Sequence, residues 1–243
     1  MQHPESHFSP LPIIFEDESL IAINKPSGLL VHRTSISEDT VFALQLLRDQ
    51  INQRIYPVHR LDRGTSGVLL FGKTSAAAAQ ISEQMRNNEI HKTYLAIIRG
   101  YVAEEGIIDY ALNNKDKPHL PPKESITRYT RLTQNELDFS VNRYPTSRYT
   151  LVVVHPETGR KHQIRRHFAH LRHPIIADKK HGDCKQNKYF EEQFEMRQMM
   201  LHAKKLKCKH PVTGEDILLE AELPEAFLRT LKLLKLEVDL TQL

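Results

Sequence analysis

The chain has 243 residues, a net charge of +4, 40% hydrophobic and 26% charged residues, the make-up of an ordinary globular protein able to bury a sizeable core. No apolar run approaches the ~20 residues of a membrane-spanning helix, and "MQHPESHFSPLP" has neither the basic start nor the apolar stretch of a signal peptide. The two cysteines, Cys184 and Cys208, show no CxxC spacing, which predicts a reduced cytoplasmic setting without a disulfide framework.

"PIIFEDESLIAINKPSG" (12–28) reads as two strands joined at an acidic turn. "SISEDTVFALQLLRDQI" (35–51) predicts a helix: Val41, Leu44, Leu47 and Ile51 recur at helical spacing, and Ser35 with Glu38 has the pattern of a capping box. "YPVHRLDRGTSGVLLFGK" (56–73) reads as strand, polar loop, strand, with Asp62 in the loop. "TSAAAAQISEQMRNN" (74–88) predicts a helix capped by Thr74 or Ser75, and "HKTYLAIIRG" (91–100) a strand with Tyr94 near its start. The Pro-rich "NNKDKPHLPPKES" (113–125) predicts an exposed loop.

"SITRYTRL", "LDFSVNRY" and "SRYTLVVVHP" are three strand candidates and suggest an antiparallel meander. "TGRKHQIRRHFAHLRHP" (158–174) begins as a turn and continues as a helix ending before Pro174. "NKYFEEQFEMRQ" predicts a short helix, "LHAKKLKC" and "DILLEAEL" two strands, and Pro224 the first turn of a final helix. Strands outnumber helices without regular alternation. That pattern predicts an α+β fold with a mixed, mostly antiparallel sheet flanked by helices and loops, over one domain of two lobes spanning 1–243.

Charge is unevenly distributed. Residues 155–210 hold 14 Lys and Arg against 6 Asp and Glu, and 8 of the 14 histidines. Such a concentrated positive segment suits a phosphate backbone, and it also suits a plain solvated basic face. In "GRKHQIRRHFAHLRH", His167 and His170 share a helical face, but the interleaved Arg165, Arg166 and Arg172 oppose a divalent ion, so no metal is expected. There is no GxxxxGK[ST] loop, GxGxxG fingerprint or HExxH pair, and "GTSG" is one residue short of a nucleophile elbow. Asp62, between Arg60 and Arg63, is open to two readings: a salt-bridged loop residue, or a reactive carboxylate held by its neighbours.

Five segments in order resemble the RluA-type pseudouridine synthases: "NKPSGLLVH" (24–32), "HRLDRGTSGVLLFGK" (59–73), "KTYLAIIRG" (92–100), "TGRKHQIRRHFAHLRHPIIADKKHG" (158–182) and "MLHAKKL" (200–206). The resemblance implies the pseudouridine-synthase catalytic fold with an active-site cleft, and isomerisation of a uridine in RNA. It implies Asp62 as the catalytic carboxylate, Tyr94 as the ring stacked on the target base, and Arg165 as the partner of Asp62. Arg60 would fill the space left by the flipped base and Leu201 would line the uracil pocket, which leaves Arg63 to hold the loop or a phosphate. Gly64 departs from the family, where proline or glutamate is more usual.

"YPTSRYTLVVVHPETGRKHQIRRH" and "KHGDCKQNKYF" are most similar to a tRNA-modifying subgroup, which implies the uridine at position 65 of the T stem as target. Ribosomal RNA is the alternative substrate. The first motif begins within 25 residues of Met1, so no N-terminal S4-like domain is expected. The resemblance further implies a monomer that needs no cofactor, since the isomerisation neither gains nor loses an atom.

Overall fold

A computed structural model of the protein describes residues 8, 10–32, 40–114, 119–141 and 144–239. In chain order its elements are β1 (Ile13–Glu16), β2 (Leu20–Lys25), α1 (Ala43–Ile51), β3 (Tyr56–Pro57), β4 (Ser66–Gly72), α2 (Ser75–Arg86), β5 (His91–Arg99), β6 (Glu105–Asp109), β7 (Ile126–Leu137), β8 (Ser147–Pro156), α3 (Gln163–His170), α4 (Cys184–Phe194), β9 (Leu201–Lys209), β10 (Asp216–Glu220) and α5 (Glu225–Leu233). The fold is α+β. The chain divides into two compact units, residues 1–92 with 203–222, and residues 93–202 with 223–243.

In the first unit the strands run in the order β1, β2, β4, β9, with β10 on β9 and β3 on β4. The pairs β1–β2, β2–β4, β3–β4 and β9–β10 are antiparallel. All seven residues of β4, "SGVLLFG", are buried, the pattern of a central strand covered on both faces. Its glycines permit that covering. A Cβ on Gly67, at φ +109°, would lie 2.1 Å from the Ala203 carbonyl oxygen, and one on Gly72 would lie 2.7 Å from the Ala78 nitrogen. Helix α2 can therefore lie close on the sheet through Ala77, Ala78 and Ile81. It is capped as expected: the Thr74 hydroxyl accepts from the Ala77 amide at 3.1 Å. The acidic turn between β1 and β2 is closed by Asp17, whose Oδ1 accepts from the Ser19 and Leu20 amides at 2.7 Å each.

In the second unit the strands run β5, β8, β7, β6, again antiparallel in the pairs β5–β8, β7–β8 and β6–β7. Buried runs in β5 and β8 join Ile164 and Phe168 of α3, Phe190 of α4 and Phe227 of α5 in one core.

Four elements differ from expectation. Helix α1 starts at Ala43, and its N-cap is Phe42 in an extended conformation without a side-chain cap. The orphan amides of Ala43 and Leu44 bond instead to the carbonyls of Leu30 (2.8 Å) and Val31 (3.0 Å). The expected capping pair Ser35 and Glu38 lies outside the described residues. Among the described residues of "LDFSVNRY" there is no separate strand: β7 runs on through Leu137, and an isolated Val141–Tyr144 bridge follows. The meander takes its third strand from β6, where Gly106 leaves room for Tyr129, an added Cβ being 2.6 Å from that ring. Pro224 is the N-cap of α5 and precedes its first turn.

Candidate active site

The Asp62 loop lies between β3 and β4 in the first unit, and the segment after β2 clasps it. The Ser27 hydroxyl donates to the Gly64 carbonyl at 2.7 Å. The Gly28 amide donates to the Arg63 carbonyl at 2.8 Å, and Arg63 Nε returns a bond to the Gly28 carbonyl at 3.0 Å. The Asp62 carbonyl accepts from the Thr65 amide at 3.1 Å, closing a turn. Asp62 is half-buried between two exposed arginines, of which Arg63 is bonded to the Gly28 carbonyl.

Lys25 is fully buried beneath this loop. Its ammonium donates to the carbonyls of Pro26 (2.7 Å), Leu29 (2.8 Å) and Arg63 (3.3 Å). Burial lowers its pKa to about 7, against the opposing pull of the Asp62 charge. His59, at the other end of the loop, accepts from the Leu70 amide at Nε2 (3.0 Å). Burial, helped by the nearby Lys92, pushes its imidazole down to about 3, so it is a neutral acceptor at the β4 ladder.

The basic motif lies in the second unit. Gln163 holds its entry: the side-chain oxygen accepts from the Thr158 hydroxyl (2.7 Å) and the Arg160 amide (3.0 Å). Its amide group donates to the Ile126 carbonyl (2.9 Å) and the Thr127 hydroxyl (3.0 Å). Two residues on, Arg165 points its Nε and Nη2 at the two carboxylate oxygens of Asp178, each at 2.7 Å. Burial alone would raise the Asp178 pKa. The Arg165 bonds and charge, with the His181 and Lys180 amides, reverse that and hold the carboxyl below its ordinary value.

His167 and His170 both meet Tyr110, and His173 has a partner elsewhere. His167 lies within hydrogen-bond distance of the Thr127 hydroxyl (2.9 Å) and the Tyr110 carbonyl (3.1 Å), His170 stacks on Tyr110 with centroids 3.7 Å apart, and His173 meets the Arg99 carbonyl at 2.9 Å. His162 and His181 meet one another, at 2.9 Å. Among the described residues no group of three or more His, Cys, Asp or Glu side chains is placed to hold a metal ion.

Tyr94 sits half-buried on β5, opposite Val154 of β8, and packs on the core to which the buried Leu201 belongs. The Ile97 amide bonds the Met200 carbonyl at 3.1 Å, which fixes the segment leading to Leu201 beside β5. Of the residues that organise these two regions, sequence reasoning missed Lys25, His59, Gln163 and Asp178. The readable signal was a lone charge at the end of an apolar strand for Lys25, and a lone acid between "PIIA" and "KK" for Asp178.

The family of RNA pseudouridylate synthases matches residues 19–170. The chain belongs to the RNA pseudouridylate synthase family. Among curated relatives it is 48% identical over 224 residues to a tRNA pseudouridine synthase C of Yersinia pestis, covering 88% of this chain and 87% of that protein. It is 47% identical over 220 residues to one of Pectobacterium carotovorum, covering 87% of this chain but spanning only 58% of that longer relative. A Vibrio parahaemolyticus counterpart is 44% identical over 226 residues, 89% of this chain and 92% of that protein. Among solved structures, human RNA pseudouridylate synthase domain containing 4 matches with a TM-score of 0.72 at 24% identity, over 92% of this chain and 93% of that one. The domain containing 1 protein matches at 0.70 and 22%, over 98% and 99%, and both share the fold.

Proposed function

We propose that the protein isomerises a uridine of tRNA to pseudouridine, with the uridine at position 65 of the T stem as target and Asp62 as the reacting carboxylate. The names of its bacterial relatives support the tRNA substrate. The observation that carries the assignment of Asp62 is the clasp around its loop: four backbone or side-chain bonds and a buried ammonium fix a half-buried acid where an ordinary surface aspartate needs none of them.

The reaction breaks the bond between N1 of uracil and C1′ of the ribose, turns the base and joins C5 to C1′. An enzyme acting on a stacked base must first extrude it, at a cost of a few kcal/mol that phosphate contacts offset. The exposed Arg60 is assigned to the vacated space and the basic segment to the phosphates. Glycosidases use two acids because a departing alkoxide needs a proton. Uracil leaves as a delocalised anion and is kept for rejoining, so one carboxylate suffices at C1′, whether by covalent attack or by removing the neighbouring 2′ proton. Tyr94 is assigned the stacking face and a hydroxyl able to help remove the C5 proton. Arg165 is assigned the support of the Asp62 charge, and Leu201 the apolar wall of the base pocket.

The test is pseudouridine mapping of tRNA and ribosomal RNA from a deletion strain complemented with the wild type or with Asp62→Asn. Loss of one tRNA pseudouridine, restored only by the wild type, is expected, with Asp62→Asn still binding tRNA. Loss in ribosomal RNA would move the substrate and keep the chemistry. Full restoration by Asp62→Asn would refute the role of Asp62.

A further inference from the structure

Asp178 is the one fully buried carboxylate among the described residues, at 1% exposure, and every one of its described bonds points to a single arrangement. Its two oxygens take the two prongs of Arg165, itself 8% exposed. A bidentate fork fixes the guanidinium plane as well as its charge. Oδ1 also accepts from the Lys180 amide at 2.9 Å and the His181 amide at 3.0 Å. The Asp178 carbonyl takes the Gly182 amide at 2.9 Å and the Asn187 side-chain amide at 2.9 Å, while the Asn187 oxygen accepts from the Ala177 amide at 2.9 Å. The turn is wound so tightly that a Cβ on Gly182 would lie 2.2 Å from the Asp178 carbonyl oxygen. Lys179 and Lys180 project from it, both exposed. The same carboxylate therefore orients a buried arginine and closes a turn that carries two exposed cations.

We infer that Asp178 is a positioning residue for the isomerisation: it aims the Arg165 guanidinium and ties that aim to the lysine-bearing turn. The inference rests on the assignment of Arg165 above. Burying a carboxylate is costly unless its partner is held in good geometry, and a lone structural ion pair is a poor use of it. An arginine whose direction matters gives the burial a reason. A displacement of about 1 Å in a reacting constellation costs on the order of 100-fold in rate.

Asp178→Asn keeps the volume but offers one acceptor oxygen where the fork needs two. Single-turnover rate and equilibrium tRNA binding are measured separately on the full chain. For Asp178→Asn a rate loss of roughly 100-fold is expected with Kd within about threefold of wild type. The double substitution Lys179→Ala, Lys180→Ala should weaken binding and make its salt dependence shallower. Arg165→Lys, which keeps the charge and loses the fork, should be about as slow as Asp178→Asn, and combining the two should add little further loss. A wild-type rate in Asp178→Asn, or losses that multiply in the combination, overturns the inference. Should Asp178→Asn melt too low to assay, Arg165→Lys decides alone, since full activity there means that an unforked cation suffices. A wild type that makes no pseudouridine would instead sink the proposed function, so the two failures are separable.

Discussion

Lys25 and Arg165 are both cations taken out of water, one in each unit, and the protein keeps them by different means. The described bonds of Lys25 all go to backbone carbonyls, and Asp62 acts on it only through its field. Neutral oxygens stabilise an ammonium too little to offset lost hydration, so its pKa falls to about 7. Arg165 meets a full negative charge through two short bonds. The contrast separates two jobs. A carbonyl cage ties the segment after β2 to the Asp62 loop around a proton that is only loosely held. A carboxylate fork holds both a charge and its direction.

The comparison is broken most directly from the arginine side. Arg165→Met leaves Asp178 buried without its cation, a change that costs about 3–5 kcal/mol in other proteins. Urea unfolding followed by circular dichroism should show a loss in that range. Adding Asp178→Leu should recover only part of it: an apolar pair of similar volume can replace a buried ion pair, but the Lys180 and His181 amides lose their acceptor. A loss below about 1 kcal/mol in Arg165→Met would mean that the pair is not the buried, mutually dependent unit described above.

Lys25→Met should cost less. It strands the Pro26 and Leu29 carbonyls, at roughly 1–3 kcal/mol each if neither finds another donor, while the Arg63 carbonyl keeps the Gly28 amide, and it also removes a charge whose burial is unfavourable. The net expected loss is about 1–2 kcal/mol in the same urea measurement. Its local signature is sharper than its global one. The amides of Gly28 and Thr65, which bond Arg63 and Asp62 across the clasp, should exchange with deuterium much faster. Unchanged exchange at both would show that Lys25 does not hold the loop.

Much of this architecture was legible in the sequence. The apolar run of β4, the Thr74 cap of α2 and the turn and helix of the basic motif all rest on local chemistry, which a short window of sequence contains. What escaped it depends on distant partners. Helix α1 starts at Ala43 because carbonyls of residues 30 and 31 satisfy its first amides, and no capping residue records that. Strand β6 is short and exists because β7 offers it an edge, with Gly106 making room for a ring 23 positions later. The same holds for the candidate site. Asp62 could be singled out from its neighbours, whereas Lys25 and Asp178 read as ordinary charges until the carbonyls around one and the guanidinium against the other were placed.

A last test reads the loosely held proton itself, as a slope of stability against pH. Lys25 has a folded pKa of about 7, below the ordinary lysine value near 10.4 that it regains on unfolding. Between those two values the unfolded chain holds a proton that the folded chain has released. Stability therefore rises with pH across that window, by the linkage between proton uptake and unfolding. Below about pH 7 both states are protonated and the burial cost is present in full. Measured against Lys25→Met, which cancels every other titrating group, the wild type should gain stability from about pH 7 toward pH 10 and stay level below it. The carbon-13 shift of the Lys25 side chain next to its nitrogen should report the same transition in the folded protein. A midpoint above pH 10 would show that the carbonyl cage holds its proton as firmly as water does, and the distinction between the two buried cations would then lie in geometry alone.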